Sequence, residues 1–120
     1  MYQIREVVLF RGEDKIKRPV IEFTEPNQAI LGEFLMTDAP MFAGGILQEI
    51  DAVILGEREK IIGSGNRCGW EIDADQAVIN DLFADMGDDV PSMPTCTIET
   101  KKLAELVDIW LTKRKEYEGK

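Results

Sequence analysis

The chain contains no histidine, only two cysteines and, between Trp70 and Ser92, neither lysine nor arginine. Without histidine it lacks the usual general base at neutral pH, so Ser-His and Cys-His catalysis are excluded and a zinc site would lack one of its common ligands. Cys68 and Cys96 stand 28 positions apart and form no CxxC unit. They read as thiols serving as small, partly buried hydrophobes in a reducing compartment. Long apolar runs are missing too: "VVLF" and "AVIL" fall far short of the ~18 residues that cross a bilayer. The first ten residues, "MYQIREVVLF", carry Arg5 and Glu6 and lack the basic region, apolar core and cleavage site of a secretory signal, so a cytoplasmic protein is expected.

What is present suits an ordinary folded protein. The 120 residues are 44% hydrophobic and 31% charged, with a net charge of -9. That length accommodates one core, so a single domain over residues 1–120 is expected, and the hydrophobic content is too high for disorder.

Two β-rich runs, 2–10 and 16–23, flank "RGEDK" and predict an antiparallel hairpin. Pro19 has no N–H for the ladder, which places its strand at an edge or Pro19 near the strand's start. Ile30, Leu31, Phe34 and Leu35 lie at helical spacing, predicting a short helix over about 27–36 that ends before Pro40. Ile46, Leu47, Ile50, Val53 and Ile54 predict a second helix, with Gly56 at its C-terminal cap. "KIIGSGN" reads as a short strand entering a turn. In "RCGWEID" Cys68, Trp70 and Ile72 share a face, and with "AVINDLF" they predict a hairpin over about 67–83. "ADMGDDVPSMP" reads as loop. Leu103, Leu106, Val107, Trp110 and Leu111 form one stripe of a helix over 100–117, with Thr100 as a candidate cap and the basic "KRK" at 113–115 near its negative end. The expected fold is α+β: a small antiparallel sheet built from both hairpins, packed against the C-terminal helix, with one or two short helices in the first half.

No motif in the chain carries a reaction. The acidic stretch 70–92 does not place ligands as an EF-hand loop does, and "GSGN" at 63–66 lacks the further Gly and the Lys of a phosphate loop. No catalytic residue, cofactor or metal ligand is assigned. The charge distribution says more. Residues 1–24 hold five basic and four acidic groups, residues 25–99 three and fifteen, and residues 100–120 six and four, giving +1, -12 and +2. A field of that sign repels nucleic acid and anionic lipid and attracts a basic protein. Glu71, Asp73, Asp75, Asp81, Asp85, Asp88 and Asp89 are the candidate partner-binding residues. Competing readings are a small carboxylate- or metal-dependent hydrolase and an acidic regulatory subunit.

The run "SGNRCGWEIDADQAVINDLFADMGDD" followed by "CTIETKKLAELVDIWLTKRKEY" resembles the second half of immunity proteins from bacterial contact-dependent growth inhibition and related polymorphic toxin systems. The matching features are a "GN" turn, a "WEID" strand, an "AVINDLF" strand with acids after it, and a threonine-led helix ending in "DIWLTK". The resemblance implies a cytoplasmic inhibitor without turnover, whose partner is the C-terminal toxin domain of its own locus, expected to be a nuclease with a basic groove. It also implies that Gly65, Trp70, Ile72, Ile79, Leu82, Phe83, Leu106 and Trp110 hold the fold.

Overall fold

The computed structural model describes residues 2–87 and 89–118, excepting the side chains of Phe42, Ala43 and Asp85. Its first element is the expected hairpin: β1 (Tyr2–Arg11) runs antiparallel to β2 (Asp14–Phe23), in unbroken register from Tyr2 opposite Phe23 to Arg11 opposite Asp14. Pro19 lies opposite Glu6 in mid-strand and is tolerated because both strands of a two-stranded sheet are edges.

A 3-10 turn at Pro26–Gln28 leads into α1 (Ala29–Glu33) and then a π-turn, Phe34–Asp38. Ile30, Leu31, Phe34 and Leu35 are buried, as their spacing predicts. The π-turn is closed by the Ala39 N–H donating to the Phe34 carbonyl at 2.8 Å. Next comes α2 (Gly45–Ile54), which buries Ile46, Ile50 and Val53. Gly56, at φ +80°, ends it in the left-handed conformation that favours glycine.

The second sheet has four antiparallel strands in sequence order: β3 (Lys60–Ser64), β4 (Cys68–Asp73), β5 (Gln76–Asp81) and β6 (Cys96–Glu99). The last of these, from "TCTIE", is unassigned by periodicity; at four residues it is too short to show one. α3 (Thr100–Glu118) completes the chain and buries Leu103, Val107 and Trp110.

The two hairpins do not form one sheet. β1 and β2 stand apart from β3–β6, which corrects the single-sheet expectation. The reason is the helical layer: α1 and α3 each touch β2 on one side and β5 on the other. Apolar stripes on both helices therefore find two surfaces to cover. One core results, from Ile21 of the hairpin through Phe34, Leu103 and Trp110 to Ile72 and Ile79 of the larger sheet. Phe34 meets Trp70 edge-on, with centroids 5.4 Å apart at 71°.

Candidate partner-binding surface

The alternation of β4 is the starting point. Cys68 and Ile72 are buried and Trp70 is half-buried, so Glu71 and Asp73 must point to the other side of the sheet. Pairing extends that outward face sideways: Ile62 of β3 lies opposite Glu71, Val78 of β5 lies on its other flank, and Thr97 of β6 follows. Lys60 faces Asp73, and Glu99 faces Gln76. The helices contact the sheet from the core side, leaving this face open. Ile62, at 75% exposure, is its most prominent apolar group.

Three of the predicted acids meet at one end of this face. Glu71 accepts a hydrogen bond from Lys60 Nζ at 2.7 Å and remains exposed. Asp73 shapes the β4–β5 turn, its Oδ1 accepting from the backbone N–H groups of Asp75 and Gln76, both at 2.8 Å. Those donors hold its pKa below the usual carboxylate range, Gln76 contributing most, so Asp73 is ionised at neutral pH. Asp75 occupies the exposed tip of that turn. Thr100, the candidate cap, instead ties the turn to α3: its hydroxyl donates to the Asp73 carbonyl at 2.6 Å and its N–H to the Asp75 carbonyl at 3.1 Å. Glu99, beside the same turn and exposed, joins this group although it lies outside the acid-rich stretch. Its position follows from the pairing of β6, which periodicity does not show.

The other predicted acids lie elsewhere. Asp81 is buried inside the sheet's opposite end and is removed from the contact surface. Its Oδ1 accepts from the Phe83 N–H at 2.9 Å, and its Oδ2 from the Met93 N–H at 2.8 Å and Arg67 Nη2 at 3.0 Å. Burial alone would raise its pKa, but these donors outweigh burial and hold it below the usual range. The Arg67 guanidinium sits 4.1 Å from the Phe83 ring centroid. Asp89 is exposed in the segment beyond β5, whereas Asp75 sits in the turn before β5. Asp88 and the side chain of Asp85 lie outside the described residues. The seven acids thus do not form one patch.

A second buried carboxylate accompanies Asp81, and sequence reasoning missed it. Asp38 is turned inward by the π-turn and accepts from the N–H groups of Asn66 (2.7 Å), Arg67 (3.2 Å) and Cys68 (2.7 Å). This clasp explains the "GN" turn, since a Cβ at Gly65 would collide with the Asp38 side chain. A carboxylate gathering three backbone donors is structural.

A cleft of about 330 Å³ lies between α2 and β3, with Asp38, Glu49, Arg58 and Trp70 among its walls. It is the natural place to seek a hydrolase site, yet Glu49 pairs with Arg58 at 3.8 Å and Asp38 serves the turn. Among the described residues no three metal-ligating side chains converge. No helix there is long and apolar enough to cross a membrane. Burial pushes the Cys68 and Cys96 thiols above their ordinary pKa, so neither is an activated nucleophile.

Comparison with known proteins then decides the family. Over 88 residues the chain is 34% identical to a Bacillus cereus protein named "Immunity protein", a match covering 73% of this chain and 72% of that one. The chain belongs to the immunity proteins. No protein-family model and no solved structure matches this immunity protein.

Proposed function

We propose that this immunity protein neutralises a toxin domain encoded by its own locus, binding it one-to-one with no turnover. The open sheet face supports this reading: Glu71 lies directly beside an exposed Ile62, and Asp73, Asp75 and Glu99 lie toward the β4–β5 turn end of the same face. An exposed apolar group beside a cluster of charges suits a protein interface, where the apolar group supplies affinity and the charges supply rate and selectivity. The same carboxylates would be poor acid–base catalysts, since the turn donors hold Asp73 ionised and Glu71 is engaged by Lys60.

The partner is a toxin domain with a cationic surface, and a nuclease groove of a contact-dependent or related polymorphic toxin fits that chemistry. The acidic face lies over or beside that groove and takes the place of the polyanionic substrate. Asp89, exposed in the segment after β5, adds to the negative field.

Replacing Glu71, Asp75 and Glu99 together by lysine tests the reading, because all three side chains are exposed and the Lys60–Glu71 surface pair that is lost contributes little to stability. Affinity for the toxin domain should fall by roughly a hundredfold and protection of toxin-expressing cells should be lost. Unchanged affinity and protection would remove this face from the interface. The corresponding reversal at Asp89 measures that residue's own contribution.

A further inference from the structure

β1 presents an unguarded strand edge to solvent. One edge pairs with β2, the helices pack mainly against β2, and only the start of β1, at Tyr2 and Ile4, reaches the core. The run Val7-Val8-Leu9-Phe10 contains no charge and no proline, and its regular register with β2 includes no bulge. Val8, Leu9 and Phe10 are 47%, 52% and 68% exposed. Soluble proteins ordinarily guard such an edge with lysine, proline, a bulge or a covering element. Here β2 carries such guards at Lys15, Lys17 and Pro19, whereas this run of β1 carries none.

We propose that β1 pairs with β1 of a second copy of this chain, antiparallel about a two-fold axis at Leu9, to form a four-stranded sheet across a dimer. Charge selects both the location and the register. Each molecule bears -9 and repels its copy, but residues 2–23 hold five cations and four anions, a net +1, so hairpins can approach with little repulsion. Pairing about Leu9 sets Leu9 opposite Leu9, Val8 opposite Phe10 and Val7 opposite Arg11, and brings Arg5 toward Glu13 of the other copy. A register about Val8 would instead oppose Arg5 to Arg11 twice, which is destabilising. Leu9 lies near the hairpin tip, so antiparallel pairing directs the two acidic bodies away from each other. The contact is isologous and closes after two copies.

The paired segment is short, and its area falls below the ~1,200 Å² of a stable complex, so association depends on concentration. Raising the salt screens the repulsion between bodies and strengthens the dimer, opposite to the effect expected for an acidic face binding a basic toxin. This inference is independent of the toxin-binding face.

Sedimentation equilibrium of the full chain, over a series reaching roughly 1 mM at low and high salt, tests it. The mass should rise from 13.6 kDa toward twice that value, further at high salt. Leu9→Lys places like charges together at the axis and should abolish the rise with an unchanged circular dichroism spectrum. Leu55→Lys, at a 72% exposed leucine outside the hairpin, should leave it intact. A monomer throughout the series, or a dimer that survives Leu9→Lys, would overturn the proposal.

Discussion

Two aspartates that look alike in the sequence differ fully in what they do. Asp75 is exposed at a turn tip, while Asp81, six residues on, is buried with two backbone donors and Arg67 around its carboxylate. Asp81→Asn removes the charge from a buried pair, leaves Arg67 without its partner and should destabilise the protein by about 3 kcal/mol at neutral pH. The sign of the pH dependence follows from the lowered pKa. Because the folded value lies below the unfolded value of about 3.9, the carboxylate's contribution is complete above that pH and is lost as pH falls through the folded value. Chemical denaturation of both proteins should therefore show a gap that is constant from neutral pH down to about 5 and closes below about 4. A gap that persists undiminished in acid would assign the loss to packing rather than charge.

At the scale of elements, the acidic turn is held as well as formed. Asp73 closes it from within, and Thr100 at the start of α3 holds it from below through two hydrogen bonds. The N-terminal end of α3 is also the positive end of its dipole and lies beside this turn, which suits negative charge there. Thr100→Val keeps the shape but leaves the Asp73 carbonyl without its hydroxyl donor. It should cost about 1–2 kcal/mol, read as a lower denaturation midpoint with an unchanged slope. A midpoint equal to that of the parent protein would show the link to be incidental. β6 has the same importance at this scale: by pairing with β5 it carries Glu99 to the edge of the acidic turn.

The whole molecule measures 48 × 38 × 26 Å, with a radius of gyration of 15.1 Å against about 13.6 Å for a compact chain of this length. The excess reflects the first hairpin, whose distal half projects from the body and is exposed on both faces. The near-neutral arm and the acidic body are therefore separate surfaces, and the contacts proposed at each should respond to salt in opposite directions. Association with the toxin domain should slow by roughly tenfold or more between about 20 mM and 0.5 M salt, measured by stopped-flow mixing. A rate indifferent to salt would mean that the acidic field does not guide the encounter.

Much of the fold was legible in the chain because its signals are local. Both hairpins, the α1 and α2 stripes, the Gly56 stop and the Leu103–Trp110 face of α3 each follow from periodicity or backbone preference within a few residues. The missing histidine, the scarcity of cysteine and the concentration of negative charge were likewise properties of the sequence itself. Tertiary structure alone decided that the hairpins lie in different sheets, that Asp38 and Asp81 turn inward, and that Glu99 joins Glu71 and Asp75. Each depends on contacts between segments 14 or more residues apart: the helices that separate the sheets, the 66–68 backbone that captures Asp38, and Arg67 that captures Asp81. A local pattern specifies which way a side chain points from its own element, but its burial depends on what packs against that element.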